Sequence, residues 1–331
     1  MNLIITGGNS GLFNELKLFV TSLRENGRYE DRIVVCDNSI EGEYGGQCSF
    51  VEEATFSKEQ LDFFREHEVE VVVFHELLKK HGVTRDMIDP IQNMHRAYPF
   101  KLVYSCLISK EYLGRAENTC FFDADVYFQK QVKEVLDDIK DDVIYVARER
   151  KKIGEVDLLV KWMRVTDLSF GIPREHYEDV IFNRKTSLNT GFIGGRTEVF
   201  NSLMITAWIM ASSRIVRFHS DQPIVNYMDY LNYPIKPIPA SHFLNLCDIP
   251  EKNIKFDEST RMFRHKSDTP NIVHFNGENK YMINLLVPDN VKIEGPLFNI
   301  LKGFLGVRST MRVYKFLYKL GYMRLASSMH K

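Results

Sequence analysis

The sequence predicts an α/β fold: a mostly parallel central sheet flanked by helices. Three observations carry this. Short apolar, β-branched runs recur at Asn2–Thr6, Arg32–Cys36 and Glu70–His75, as buried strands do. Between the first two, Leu12, Leu16, Phe19, Val20 and Leu23 fall at helical spacing. Strand, helix and strand within ~40 residues make a βαβ unit, which requires parallel strands and a right-handed crossover.

The elements follow in order. The first strand runs into Gly7-Gly8-Asn9-Ser10-Gly11, a glycine turn leading to the Leu12–Leu23 helix. Gly7-Gly8-x-x-Gly11 resembles a phosphate loop only loosely, being neither G-x-G-x-x-G nor a loop closed by G-K-[ST]. A plain turn and a ligand-contacting loop both fit it. The second strand ends at Asp37-Asn38-Ser39. Ligands of open parallel sheets sit at the carboxyl ends of the strands, which draws attention to Thr6, Gly7 and Asp37. Residues 96–116 read as a helix carrying Lys101, Leu102, Tyr104, Leu107 and Ile108. A strand at Thr119–Phe122 stops at Asp123-Ala124-Asp125, with Val126-Tyr127-Phe128 continuing apolar. Residues 132–140 read as helix and Val143–Ala147 as a buried strand. Residues 148–185 are charged and irregular, with Trp162, Met163 and Phe170 scattered among them, and read as an insertion over the site. Ser187–Ile193 resumes as a strand with a glycine pair at 194–195, Val199–Ala211 is helical, and Asn271–Phe275 is a last short strand before Asn276-Gly277. No internal repeat and no Pro/Gly/Ser-rich linker divides the chain.

Composition narrows the function. The 331 residues suit one large α/β domain with appended segments. Apolar and charged shares of 44% and 26% are those of a soluble globular protein. With 43 Lys and Arg against 44 Asp and Glu the net charge is −1, so the chain as a whole is neither a strongly basic nucleic-acid binder nor an acidic disordered segment, and no nucleic-acid partner is expected. The N-terminus has no basic stretch ahead of a long apolar core, and nowhere do 18 apolar residues run together. The expectation is a cytoplasmic protein. Five cysteines, at 36, 48, 106, 120 and 247, show no C-x-x-C spacing, so reduced and mostly buried thiols are expected.

Four short segments carry chemistry. In Phe121-Phe122-Asp123-Ala124-Asp125, two carboxylates one residue apart end an apolar strand. Positions i and i+2 of a continuing strand share a side, so both can converge on one hard cation. Mg²⁺ and Mn²⁺ take oxygen ligands and share them with substrate phosphates. Solvated aspartates at a turn are the alternative. Phosphatases of the haloacid dehalogenase type also use D-x-D, but follow it with a small pair where Val126-Tyr127 stand here. The second segment is His274-Phe275-Asn276-Gly277-Glu278-Asn279-Lys280: a ligand type, a glycine that lets backbone approach closely, and a lysine able to reach a phosphate. The third is Asn189-Thr190-Gly191 and the fourth is Asp221-Gln222-Pro223-Ile224-Val225-Asn226, whose amides offer donors and acceptors to sugar hydroxyls. Each alone also reads as a polar turn, and a lone strand histidine as a core residue.

In this order the four segments resemble those of GT-A fold glycosyltransferases, and glycosyltransferase family 8 most closely: retaining enzymes that use a UDP-sugar and Mn²⁺. The resemblance covers most of the first 281 residues as a pattern. It implies a GT-A (Rossmann-like) sheet over residues 1–294. Asp123, Asp125 and His274 would hold Mn²⁺ (or Mg²⁺), with Asp123, Gly277 and Lys280 about the diphosphate. Asn189, Asp221 and Gln222 would face the donor sugar as catalytic residues. Thr6, Gly7 and Asp37 would lie near the nucleoside, and Lys101 would replace a basic residue of the helix before D-x-D. The sequence departs from the family where Tyr281-Met282 follow the lysine in place of Pro-Trp, and where the first strand ends in Thr6-Gly7-Gly8 rather than paired acids.

The implied reaction moves a hexose from a UDP-sugar to a glycan or lipid-linked acceptor, with retention, as in bacterial surface polysaccharide synthesis. A sugar-phosphate nucleotidyltransferase is the rival, although such enzymes carry a basic Gly-rich loop after the first strand and Gly7–Gly11 has no basic residue. A non-catalytic nucleotide-sugar-binding module is another. Residues 295–331 form a basic tail with Lys302, Arg308, Arg312, Lys315, Lys319, Arg324 and Lys331, no acid, and interleaved Leu, Phe, Val and Tyr. Such a segment suits an anionic membrane surface, on the inner face; a helical pair packed on the domain with a solvated basic face, or a nucleic-acid patch, are the alternatives.

Overall fold

The computed structural model describes residues 1–39, 55–92, 100–140, 142–152, 179, 186–212, 221–247 and 249–287. In chain order these form β1 (Asn2–Gly8), α1 (Phe13–Glu25), β2 (Arg32–Asp37), α2 (Lys58–Glu66), β3 (Val69–Val73), α3 (Phe74–Lys80), α4 (Arg85–Gln92) and α5 (Phe100–Glu111). There follow β4 (Asn118–Phe122), β5 (Val126–Phe128), α6 (Lys133–Asp137), β6 (Ile144–Lys152), β7 (Thr186–Arg196), α7 (Thr197–Ser212) and α8 (Asp221–Tyr230). The last are β8 (Ile235–Pro237), β9 (Phe243–Asn245), β10 (Ile254–Asp257), β11 (Met262–His265), β12 (Ile272–His274) and a 3-10 stretch, Gly277–Leu285.

The main sheet has seven strands in the order β3-β2-β1-β4-β7-β6-β8. It is parallel except at β7, which runs against both β4 and β6. Both faces are covered, which is why its strands read as continuous apolar runs. On one face Leu3, Ile5 and Val34 pack with α3, α5, α7 and α8; on the other Ile4, Ile33, Val35 and Phe122 pack with α1, α2 and α6. A smaller sheet, β5-β12-β9, abuts the first, and β10 and β11 form a hairpin beside it.

Several boundaries differ from the sequence expectation. The third strand stops at Val73, where the β-branched run ends; Phe74 turns into α3 and buries its ring 5.5 Å from that of Phe100. A 3-10 turn at Ser10–Leu12, capped by Asn9, precedes α1, so that helix begins at Phe13. The helix expected at 132–140 shortens to Lys133–Asp137. Val126–Phe128 leaves the main sheet and joins β12, so Asp123-Ala124-Asp125 is a link between two sheets rather than part of one strand. The first five residues of the expected insertion, 148–152, prolong β6; of the remainder only residue 179 is described. The basic tail at 295–331 lies outside the described residues. Cys36, Cys106, Cys120 and Cys247 are free thiols, the first three buried, as expected. Among the described residues no helix is long and apolar enough to cross a membrane.

Candidate functional site

The site forms where the two sheets meet. Antiparallel pairing of β12 with β5 sets His274 opposite Val126, one residue from Asp125, and the ladder continues as Phe275 N–H donates to Asp125 O at 2.9 Å. On the other side Asp123 N–H donates to Gly191 O at 3.0 Å, extending the β4–β7 ladder. Between β6 and β7 the register jumps: Val146 pairs with Ile193 but Ala147 with Asn189. Thr190, Gly191 and Phe192 are the excess residues of this bulge, a device that re-aims a strand beside a site. Three distant segments thus converge through backbone register alone.

Ligand atoms of Asp123, Asp125 and His274 all lie within 4.8 Å of one another. His274 Nε2 is 3.1 Å from Asp125 Oδ1 and 3.6 Å from Asp123 Oδ2. The opposite ring nitrogen, Nδ1, lies 2.7 Å from Asn245 Oδ1, its neighbour across the β9–β12 register. Asn245 is itself oriented, since its Nδ2 donates to Arg148 O at 2.7 Å. The oxygen end therefore faces His274, so Nδ1 donates to it and Nε2 is the ring atom turned to the two carboxylates. Nε2 and the carboxylate oxygens are thus the atoms grouped closely enough to hold one cation. Two carboxylates and one imidazole are a donor set that suits Mn²⁺, with Mg²⁺ served by the oxygens. The residues fit the metal.

Basic groups flank this centre. Lys280 Nζ is 3.1 Å from Asp125 Oδ2. Gly277 holds φ +60°, and a Cβ there would lie 2.7 Å from Cys247 Cβ, so only glycine lets the chain turn toward Lys280. Burial pushes the Asp125 carboxyl up, but Lys280 and His274 outweigh it and hold the group well below the carboxylate range. For Asp123 burial prevails over Lys101 and His274, and its pKa is raised. Lys101, from α5, is buried and donates to Asp123 Oδ1 at 3.0 Å and Thr190 O at 3.2 Å, and its ammonium lies 2.7 Å from Asp221 Oδ2. Desolvation lowers its pKa, but Asp123 and Asp221 reverse that and hold the ammonium above its ordinary value. Three carboxylates against two ammoniums leave a negative surplus for a cation.

The donor-sugar candidates stand beside this cluster. Asp221 opens α8 and accepts from Thr190 Oγ1. Asn226 locks α8 to β7 by bonding both Leu188 N and Leu188 O at 2.9 Å. Asn189 and Gln222 both donate to one carboxylate oxygen, Oε1 of Glu149, at 3.2 and 3.0 Å. The nucleoside-side candidates lie at the ends of β1 and β2, where Gly7 pairs with Cys36 and Gly8 with Asp37. Thr6 Oγ1 is buried with no hydrogen-bond partner among the described residues. A Cβ on Gly7 would lie 2.5 Å from the hydroxyl of Tyr104, one helical turn after Lys101, so this glycine admits α5 to the strand end. Asp37 accepts from Ser39 N, Ser39 Oγ and Phe56 N, so both its oxygens brace the loop after β2. Sequence reasoning missed Glu149 and Asn245. Glu149 had one signal: it lies two residues beyond Ala147 and shares its buried face. Asn245, between two leucines, had none.

Solved glycosyltransferase structures are similar to this one. Mouse xyloside xylosyltransferase 1, in its apo form, matches 84% of this chain and 98% of its own with a TM-score of 0.51 and 15% identity. The bifunctional glycosyltransferase WbbM matches 85% of this chain and 46% of its own, with a TM-score of 0.49 at 15% identity. The galactosyltransferase LgtC, solved with donor and acceptor sugar analogs, matches 82% and 86%, with 0.46 and 11%. At such identities the likeness is one of fold, and the fold is of the GT-A type. No family model matches the chain, and no curated protein matches it.

Proposed function

We propose that the chain is a metal-dependent glycosyltransferase that moves a hexose from a UDP-sugar to a glycan or lipid-linked acceptor with retention, and that residues 295–331 hold it at an anionic membrane surface. The observation that carries this reading is the Asp123, Asp125 and His274 group, built at a sheet junction of a GT-A fold with Lys280 beside it. Asp123, Asp125 and His274 would bind Mn²⁺, which when bound supplies positive charge against a diphosphate. Lys280, partly exposed, offsets the negative charge that grows on the leaving UDP. Lys101 holds Asp123 and Asp221 in place through its ammonium. Asn189, Asp221 and Gln222 orient the donor sugar, whose anomeric carbon becomes cationic as its bond to the diphosphate breaks. Thr6, Gly7, Asp37 and Gly277 line the nucleotide side. In a retaining reaction the acceptor approaches on the leaving-group face and the diphosphate takes its proton, so no base on the opposite face is required.

The test is release of UDP from a panel of UDP-sugars with and without Mn²⁺. Turnover is expected only with the metal. Asp125→Asn is expected to lower it by about 10²-fold or more, with an unchanged circular dichroism spectrum. Full activity in Asp125→Asn would refute the metal assignment. Pyrophosphate release from UTP and a sugar phosphate would favour a nucleotidyltransferase, and binding of UDP-sugar without turnover a binding module. NMR of the product decides retention, which an inverted linkage would exclude.

A further inference from the structure

Glu149 has no place in the roles above, yet its carboxylate lies buried against two of the residues that do. It stands on β6, and its Oε1 receives the amide N–H groups of Asn189 at 3.2 Å and Gln222 at 3.0 Å. The two ends of an amide are alike in shape and opposite in function: one donates twice, the other only accepts. A carboxylate accepts only. Its charge-assisted bonds are about twice as strong as neutral ones. Both NH₂ ends are therefore pinned toward Glu149 and both oxygens are turned away. For Asn189 the oxygen is used internally, accepting from Gly191 N–H at 2.9 Å in the bulge that borders His274. For Gln222, half-buried in the first turn of α8, the oxygen has no hydrogen-bond partner among the described residues.

We propose that Glu149 is a positioning residue that fixes the amide of Gln222 with its oxygen, rather than its N–H groups, turned to the donor sugar, and that holds Asn189 in the bulge by the same bond. This rests on the glycosyl-transfer reading. An amide oxygen accepts from a sugar hydroxyl and faces an electron-poor anomeric carbon favourably, whereas the flipped amide would present two partial positive charges to a carbon gaining positive charge. The orientation therefore acts on the transition state more than on donor binding.

Three variants of the full chain, Glu149→Leu, Glu149→Gln and Glu149→Asp, separate this from a merely structural role. Glu149→Leu is expected to lower kcat by about 10²-fold while leaving the donor KM, and UDP–Mn²⁺ affinity by calorimetry, within about threefold. Glu149→Gln retains an acceptor oxygen and should recover at least about tenfold of that loss; Glu149→Asp, shorter by one methylene, should fall between. The second readout needs no turnover. In ¹⁵N-labelled protein the side-chain NH₂ signals of Gln222 and Asn189 should move to the positions of solvent-bonded amides in Glu149→Leu and stay near their original positions in Glu149→Gln. Should Glu149→Leu not fold, Glu149→Asp serves both readouts, with shifted signals and lowered kcat expected. Unchanged NH₂ signals in Glu149→Leu, or in Glu149→Asp where Glu149→Leu does not fold, overturn the proposal, as does a loss of UDP affinity equal to the loss of kcat. If the unaltered protein turns over no UDP-sugar, the transfer reading fails, and the NH₂ signals still decide what Glu149 holds.

Discussion

At the scale of single residues, Gly191 controls the position of His274, the proposed metal ligand. A Cβ on Gly191 would lie 2.2 Å from Cε1 and 2.4 Å from Nδ1 of His274, so even alanine must push the ring off Asn245. Loss of such outer contacts typically costs about 10–100-fold in metal affinity. Gly191→Ala is expected to weaken Mn²⁺ binding by that factor in an electron paramagnetic resonance titration; unchanged affinity would mean His274 is not a ligand. Lys101 makes a second prediction. Lys101→Met strands Asp123 and Asp221 without their cation, and breaking a buried pair in this way costs about 3–5 kcal/mol. The Lys101 pKa is raised in the folded state, so its stabilisation is complete below the unfolded value of about 10.4 and is lost as pH rises through the higher folded one. The gap between protein and variant in urea unfolding of the metal-free chain should hold from about pH 7 to 9 and close only above about pH 10; a gap that closes before pH 9 excludes this pairing. The residues legible in the sequence, Asp123, Asp125, His274 and Lys280, are those written in short local spacings. Glu149 and Asn245 were not, because cross-strand register gives them their partners, and the reach of Lys101 to Asp221 spans 120 positions of chain with no local trace.

Among the elements, α5 shows what the sequence can and cannot convey. Ten of its twelve residues are buried between the sheet and α7, so it has no polar stripe to mark which side faces solvent. Its helical character was legible; its neighbour was not. The joint with α7 is polar at one point: Asn201 Nδ2 donates to Cys106 O and Ser109 Oγ, both at 2.8 Å and both buried. A net hydrogen bond contributes about 1 kcal/mol, and buried acceptors left open add to the loss. Asn201→Ala is expected to destabilise the chain by about 1–3 kcal/mol in urea unfolding with an unchanged denaturant slope; a change below about 0.5 kcal/mol would show that the joint is apolar packing only. The main-sheet strands β1, β2 and β4 could be read because burial on both faces writes them as unbroken apolar runs. Of the second sheet only β12 was read, within Asn271–Phe275; β5 and β9 have three residues each, too few for a period to show. The β10–β11 hairpin turns through Arg261 at φ 54° instead of the glycine that would have announced it.

For the whole molecule, the near-neutral charge conceals a separation. Seven of the 43 Lys and Arg stand after residue 294 with no acid among them, which leaves 36 against 44 Asp and Glu, a net of −8, for residues 1–294. That acidic body carries the carboxylate centre, and among the described residues it has no helix able to cross a membrane. An acidic body is repelled by an anionic bilayer, and the repulsion is screened beyond about 8–10 Å at physiological salt. A basic residue held at the surface contributes about 1 kcal/mol. Seven of them, with Leu, Phe and Tyr interleaved, outweigh a body that screening has removed from the balance. The full chain is therefore expected to sediment with phosphatidylserine vesicles at about 0.05 M salt, to be released by about 0.5 M, and to leave phosphatidylcholine vesicles largely unbound. Lys315→Glu with Lys319→Glu in the full chain removes two attractive charges and adds two repulsive ones, which lowers vesicle affinity by at least about tenfold. Turnover of a water-soluble acceptor should be unaffected by the same pair, since neither residue is among those proposed to bind donor or metal. Binding that ignores both salt and these substitutions would mean that the tail does not dock through its charge.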